Sequence, residues 1–463
     1  MPSSTAARAT HPSSVASLRD GVDEWVARTG GTAVPVIAGI VEPVQRWFPA
    51  GSARQWVPAL VTSGFVMSGF VKDTGILVHL PIDLTLALGL LTALIVGLQI
   101  LIVGVPREAH AVVLAFTLLV PPVLWSATTA YGTDKVGRLF TFTFLALLAP
   151  VVLIRDPGDV ARFVWAFTGM SGIVVVTALL NPELSSAYTG APITTESVDT
   201  IGLGSAAGHV LVVLALGLIW RSIPRLAVVG AASAVYVLLQ SGSRGPLLSA
   251  GLAVLAGSVL VRRRPDFRRV VAFLALLALG AVVAYEAAPL YSQRRIIGFL
   301  QGDTSGSIDG RISLYHDAFQ AVLTHPFGIG WGSFQGIAFG GYTYPHDLVL
   351  EVLAEAGVLF GGLFLVWLAY RIVIAQRITT DYVGSAVFAT AVFWCGKALV
   401  SGDINDNRVL FYAVGLTIAA CGVARAAAAT SSSVDAAAPS ASPERVPAPR
   451  SPSERQGDAY SMG

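Results

Sequence analysis

The segment "YPHDLVLEVLAEAG", residues 344–357, places a histidine and three carboxylates at the start of a long apolar stretch. His346 has the near-neutral pKa typical of a proton acceptor. Asp347, Glu351 and Glu355 are spaced four residues apart, so they share one face of a helix. Carboxylates in a membrane helix must point into the protein and find partners, so we expect the glutamates to position an arginine or orient the histidine. Four basic residues are available as partners, namely Arg244, Arg311, Lys72 and Lys397.

The composition around this segment is that of a membrane protein. Of the 463 residues, 54% are hydrophobic and only 13% are charged, and the mean hydropathy is +0.69. Apolar runs recur that are long enough to cross roughly 30 Å of hydrocarbon. We therefore predict an all-α integral membrane protein with about 12 transmembrane helices. The predicted spans begin near Trp56, Leu84, Ala111, Leu139, Phe163, Ile201, Leu226, Pro246, Val270, Leu348, Val383 and Val409.

The distribution of basic residues predicts the orientation, because Lys and Arg near span ends are retained on the cytoplasmic side. Both termini are then cytoplasmic, and no cleavable signal is expected. Residues 1–55 are predicted to be a cytoplasmic segment, partly disordered or lying on the membrane surface. Residues 56–287 hold spans 1–9 and residues 347–424 hold spans 10–12. The Ala-, Ser- and Pro-rich residues 425–463 are predicted to be a disordered cytoplasmic tail.

Two long external loops stand out, residues 181–200 and residues 288–346, and long ordered loops often carry function. The second lies between spans 9 and 10. Its stretch "SIDGRISLYHDAFQAVL" has a helix-start signal at its beginning and amphipathic spacing, so we expect a helix along the outer surface. The following "THPFGIGWGSF" should end that helix.

Two arginines are candidates for binding an anion on the external side. Arg311 lies near the start of the loop helix, where the helix dipole disfavours a cation, so it pairs either with Asp309 or Asp317 or with a ligand. Arg244 lies in "SGSRGP", a predicted tight turn before a short helix from Pro246. The turn is then sunk below the outer surface, and Arg244 either lines a wet cavity, meets an anion or extends to lipid phosphate.

Metal and disulfide chemistry are not expected. Cys395 and Cys421 both fall inside predicted spans, where a thiol behaves as a small hydrophobe. No external Asp-x-Asp motif is present, and "DINDN" at residues 403–407 has the wrong spacing for one. We therefore predict no metal and no cofactor.

Three stretches in this order resemble the O-antigen ligase and polymerase superfamily of polytopic membrane glycosyltransferases. They are "SGSRG", "GRISLYHDAFQAVLTHPFGIGWGSF" and "PHDLVLEVLAEAGVLFG", within roughly residues 238–362. The resemblance implies a multi-helix fold of the C type among glycosyltransferases and a site on the external face of the plasma (inner) membrane. It also implies a polyprenyl-diphosphate-linked glycan as donor. The family usually has Asn where this chain has Asp347.

The resemblance carries a catalytic role over to His346 and diphosphate-binding roles to Arg244 and Arg311. Lys72 and Lys135 are predicted as accessory anion contacts, and Asp347, Glu351 and Glu355 as residues that support this site. The predicted reaction is a metal-independent, inverting transfer to an acceptor hydroxyl, with a glycan or lipid-linked glycan as acceptor. Arginines would neutralise the departing diphosphate, and His346 would be the base.

Three alternatives remain at this stage. The enzyme is either a polysaccharide polymerase or an O-antigen-ligase-like transferase, since both need the same donor site. In another class, the chain is a transporter or flippase of lipid-linked glycan; such proteins usually show repeated halves and mid-membrane charges, which this sequence lacks. A scaffold without chemistry is the third.

Overall fold

The computed structural model describes residues 53–71, 82–180, 200–263, 265–286 and 307–437. These residues form helices and connecting turns without any strand, as the sequence predicts. The chain divides into two units, Met1–Val423 and Ala424–Gly463. The α-helices are α1 (Ala53–Val71), α2 (Leu84–Val103), α3 (Arg107–Thr117), α4 (Ala130–Arg138), α5 (Phe144–Leu153), α6 (Pro157–Leu180), α7 (Thr200–Trp220), α8 (Ala227–Gln240), α9 (Arg244–Val259), α10 (Phe267–Glu286), α11 (Ser307–Thr324), α12 (Leu348–Ala356), α13 (Gly362–Ile374), α14 (Tyr382–Ala398) and α15 (Arg408–Ala437).

Each of the 12 predicted spans coincides with a helix in the described residues. Seven helical segments there are long and apolar enough to cross a membrane. This indicates a multi-pass membrane protein, while the count of about 12 spans stays a prediction. The seven segments are Leu84–Val103, Arg107–Trp125, Ala130–Leu153, Pro157–Leu180, Thr200–Trp220, Leu348–Ile378 and Arg408–Thr430.

The helical segment that carries Lys135 begins earlier than the sequence predicts. It starts at Ala130, where the Thr129 side chain caps α4 by accepting a hydrogen bond from Gly132 N, whereas the predicted span began near Leu139. The polar first turns lower the local hydropathy and hide the start of the helix. Lys135 is therefore a helical residue and not part of a loop.

The interior of the first unit is built around α7, whose apolar residues are mostly buried. It packs against α6, α8, α9 and α14. Gly208 allows close approach to α14, since a Cβ there would lie 2.8 Å from the Phe393 ring. This close packing holds α9 and α14, which carry parts of the site described below, in one place.

The chain beyond the last span is helical farther than expected. The α15 helix continues to Ala437, past residue 425, where the predicted tail begins. Residues 424–430 are Ala-rich, and alanine has the highest intrinsic helix propensity. Residues 438–463, like the N-terminal residues 1–52, lie outside the described residues.

Candidate active site

The loop helix forms where the sequence predicts it, as α11. Its amphipathic spacing was predicted from Ile312, Leu314, Phe319, Val322 and Leu323, of which Leu314 and, in part, Val322 lie on the inner face. Leu314, Ala318 and Ala321 are buried and pack with Phe334 and with Ala354 of α12. The larger apolar residues Ile312, Phe319 and Leu323 are all more than half exposed. Small residues on the inner face let α11 approach α12 closely.

His346 lies just before α12, at the end of the loop that follows α11, with its backbone in the left-handed region at φ 61°. A non-glycine residue pays a cost of about 1–3 kcal/mol for such a conformation, which the surroundings must offset. Its ring stands edge-on to that of Tyr344, with centroids 4.5 Å apart. Burial, and then the positive charge of Arg311, hold the pKa of His346 below its ordinary value. The imidazole is therefore neutral at physiological pH and can accept a proton.

Asp347 supports this junction by capping α12. Its carboxylate accepts a hydrogen bond from Leu350 N at 2.9 Å, which satisfies one of the free amides at the helix start. Burial raises the pKa of Asp347 above its ordinary value, against the lowering effect of the amides that it accepts from. An asparagine could accept the same bond through its side-chain oxygen.

The first half of α11 lies within electrostatic reach of this junction. Burial raises the pKa of Tyr315, the charge of Asp347 raises it further, and Arg311 lowers it. The Asp317 carboxylate accepts a hydrogen bond from Phe339 N at 2.8 Å, which ties the loop back onto α11. The loop helix thus brings Arg311 towards His346.

Arg311 and Gly245, the neighbour of Arg244, both lie against Val400, between α14 and α15. Arg311 Nη1 donates a hydrogen bond of 3.0 Å to the Val400 carbonyl oxygen. A Cβ on Gly245 would lie only 2.6 Å from Val400 Cγ2, and Gly245 directly follows Arg244. Both arginines are half-buried. The arrangement therefore brings Arg311 and the first turn of α9, which begins at Arg244, to the same residue.

The turn around Arg244 differs from the sequence-based expectation. α9 begins at Arg244 itself and not at Pro246, because Gly242 makes the turn with φ 61°. Ser243 does not cap the helix with its side chain; its hydroxyl donates to the Thr200 carbonyl at 2.9 Å and ties α9 to α7. Arg244 is thus anchored on the first turn of a helix.

The glutamates of α12 find a partner that the sequence analysis did not assign to them. Lys135 Nζ lies 2.6 Å from Glu351 Oε1 and 2.6 Å from Glu355 Oε2, and all three side chains are fully buried. The sequence analysis had named Arg244, Arg311, Lys72 and Lys397 as possible partners. Lys397 instead donates to Asn407 Oδ1 at 3.0 Å. We call Lys135, Glu351 and Glu355 the ionic cluster.

The "GIGWG" stretch, residues 328–332, passes between α12 and the turn before α4. Gly328, Gly330 and Gly332 all have positive φ, between 73° and 88°. A Cβ on Gly330 would collide with the carbonyl group of Trp125. Gly330 N also donates to the Glu355 carbonyl at 2.9 Å. Only glycine satisfies both the conformation and the space at this position.

Residues 403–407 make a compact turn whose polar groups face inward. Asp403 Oδ1 accepts from Asn405 N at 2.9 Å and from Asp406 N at 2.7 Å. Its Oδ2 accepts from the Tyr131 hydroxyl at 3.3 Å. The carboxylate is thus committed to holding the turn. No group of three potential metal ligands occurs in the part of the chain that the structure describes; metal independence stays a prediction.

The predicted site residues thus fall into three sets. His346, Asp347, Arg311 and Arg244 belong to the arrangement around the external loop, whereas Lys135 belongs to the buried ionic cluster. Lys72 lies outside the described residues. The sequence analysis missed Val400, because a backbone carbonyl that accepts from an arginine leaves no side-chain signature.

The comparison with known protein families agrees with this picture. Residues 229–366 match the family model described as O-antigen ligase. The resemblance inferred from the sequence is therefore confirmed, and the matched range contains both arginines, α11 and the His346 junction. The match indicates a glycosyl-transferring enzyme. No curated protein matches the chain.

Proposed function

We propose that this protein transfers a glycan from a polyprenyl diphosphate carrier to an acceptor hydroxyl at the external face of the plasma membrane. The observation that carries the proposal is that Arg311 donates to the Val400 carbonyl beside Gly245, the neighbour of Arg244, with His346 close enough to Arg311 for its pKa to be lowered. Two cations beside a neutral base match a reaction in which a diphosphate leaves and a hydroxyl loses its proton. The match to the O-antigen ligase family supports the same substrate class.

The proposed reaction is a single displacement. The neutral imidazole of His346 takes the proton of the acceptor hydroxyl as the hydroxyl oxygen attacks the anomeric carbon. The bond between that carbon and the diphosphate oxygen breaks, and its electron pair remains on the diphosphate. Arg244 and Arg311 neutralise the charge that develops there, since guanidinium groups bind phosphate oxygens in a bidentate manner. Attack opposite the leaving group inverts the configuration at the anomeric carbon.

Lys135 has no direct role in this mechanism, because its ammonium group is fully buried between two carboxylates. In this mechanism Arg244 and Arg311 supply the charge neutralisation that a metal ion would otherwise provide. The proposal covers both a polymerase and a ligase, which differ only in the acceptor. The external loop, with α11 over the His346 junction, is the part of the chain that would select it.

The test uses the purified full chain in lipid vesicles, with a polyprenyl-diphosphate-linked glycan and an acceptor glycan. His346→Gly removes the base but accepts the positive φ. We expect it to lose transfer by at least about 100-fold and to regain part of it with added imidazole. Arg244→Ala and Arg311→Ala should each abolish transfer, and Glu351→Gln should cost less. Normal transfer by His346→Gly without imidazole would remove the base from the mechanism.

A second measurement separates the reaction types. The lipid-linked glycans of the outer leaflet are profiled by mass in cells that lack the gene. Accumulation of single repeats indicates a polymerase, and accumulation of long chains indicates a ligase. Accumulation only in the inner leaflet would instead support the transporter alternative.

A further inference from the structure

The ionic cluster is more deeply enclosed than any role in direct substrate binding would allow. Lys135 Nζ contacts both carboxylates at 2.6 Å, and none of the three side chains is exposed. One ammonium group therefore balances two carboxyl groups inside the protein. Removing one member leaves a charge without its partner in a low-dielectric interior, which is strongly unfavourable.

Stability alone does not account for such a cluster. Replacing a buried ion pair by apolar groups of similar volume often leaves a protein equally stable or more stable. Compared with apolar groups, buried charged groups can favour one arrangement of the helices that carry them, because an incorrect arrangement leaves a charge unpaired. In this chain the cluster connects α4 to α12.

The elements tied together by the cluster are those that carry the site. Glu351 lies in the first turn of α12, the helix that begins directly after His346 and Asp347. Its Oε1 atom also accepts a hydrogen bond from Ile404 N at 3.2 Å. Ile404 follows shortly after Val400, whose carbonyl oxygen accepts from Arg311. Glu351, a residue of α12, thus contacts the segment whose Val400 carbonyl binds Arg311.

The α4 helix contributes further contacts to the same segment. The Lys135 carbonyl oxygen accepts from Asn405 Nδ2 at 3.0 Å. Asn405 Oδ1 accepts from the Thr143 hydroxyl at 2.9 Å, and Tyr131 donates to Asp403. The Lys135 side chain therefore contacts α12, and its backbone carbonyl contacts the segment that follows Val400.

From these contacts we infer that Lys135 is a positioning residue: through Glu351 and Glu355 it sets the place of His346 relative to Arg311. This inference rests on the proposed function. The cluster does not touch the donor, so its loss acts on the geometry of the reacting groups. A displacement of about 1 Å can lower a rate by about 100-fold.

The experiment compares three variants with the wild-type chain in lipid vesicles. Lys135→Met leaves two carboxylates unpaired, whereas Lys135→Met/Glu351→Gln/Glu355→Gln removes all three charges and guards against a simple folding failure. Lys135→Arg keeps the charge. The matched control is Arg138→Met, which removes an exposed cation of the same helix that pairs with Asp134. The measurements are kcat, the donor Kd, and the rate at which diethyl pyrocarbonate modifies the peptide that contains His346.

We expect the neutral triple variant to fold and to bind donor within about twofold of wild type, but to lose kcat by about 10- to 100-fold. The modification rate of His346 should change, because its surroundings shift. Lys135→Arg should recover part of kcat, and Arg138→Met should behave like wild type. Wild-type kcat and modification in the triple variant would overturn the inference.

A different pattern would reveal a direct role for Lys135. If Lys135→Met weakens donor binding while kcat stays normal, the lysine contacts the donor and the positioning role is wrong. A wild-type protein that transfers nothing would refute the proposed function instead. In that case the modification rate of His346 still decides whether the cluster positions it.

Discussion

Arg311 donates a hydrogen bond of 3.0 Å to the backbone carbonyl of Val400. This contact joins α11 to the segment between the last two helices. The same valine abuts Gly245, next to Arg244. Arg311 and the residue that follows Arg244 are thereby held beside one valine, and a diphosphate is a ligand that two neighbouring guanidinium groups can share.

The closeness of Gly245 to Val400 predicts a requirement for glycine at this position. In Gly245→Ala the new Cβ would lie 2.6 Å from Val400 Cγ2, so one of the two elements must move. We expect the donor Kd to rise by about tenfold, since a lost charged hydrogen bond costs about 1.5–3 kcal/mol. Gly251→Ala is the matched control in the same helix, because its Cβ meets nothing within 4 Å. Equal donor binding by both variants would contradict the convergence of the arginines.

The pKa of His346 predicts how transfer depends on pH. Burial and Arg311 both lower that pKa, so the base stays neutral as pH falls through the ordinary histidine range. Transfer should be lost only at more acidic pH. Arg311→Gln removes one of the two causes, so the acidic limb of the rate at which diethyl pyrocarbonate modifies His346, which needs no transfer, should move to higher pH. Arg138→Gln is the control and should leave the limb in place; a limb that moves to lower pH in Arg311→Gln would refute the electrostatic link.

The capping role of Asp347 predicts that its substitution by Asn is tolerated, whereas its substitution by Ala lowers stability. Asp347→Asn keeps an oxygen that accepts from Leu350 N, so it should transfer nearly as fast as wild type. Asp347→Ala removes the helix cap and should cost about 1 kcal/mol of stability. Thermal unfolding and kcat would be measured for both. If Asp347→Asn is as slow as Asp347→Ala, the carboxylate does more than cap α12.

The glycines of the "GIGWG" stretch predict that an added Cβ lowers stability there, but not elsewhere in the same loop. Gly330→Ala meets both a positive φ of 88° and the carbonyl group of Trp125. We expect it to destabilise the protein by about 1–3 kcal/mol and to lower its thermal midpoint. Gly336→Ala, in the same loop, meets nothing within 4 Å and should be neutral. Comparable midpoints for the two variants would show that the stretch tolerates a Cβ.

Hydropathy and local signals were enough to predict the helices, because an apolar run in a membrane has few other structures available. The start of α11 and the junction at His346 were also predicted, since cap residues and Pro act over a few positions. The start of α4 was missed, because its first turns are polar. The ordered motifs were sufficient for the family, which the match over residues 229–366 confirms.

The sequence by itself determined that this is a helical membrane protein that resembles the O-antigen ligase family, with His346, Arg244 and Arg311 as candidate site residues. Only the tertiary structure decided which charges meet. Lys135 pairs with two glutamates of a distant helix, and Arg311 binds a backbone carbonyl. Such partners depend on how helices pack and rotate, and neither composition nor spacing along one helix encodes that. The α11 helix illustrates the same limit, because packing against α12 buried Leu314 together with small alanines and left Ile312, Phe319 and Leu323 exposed.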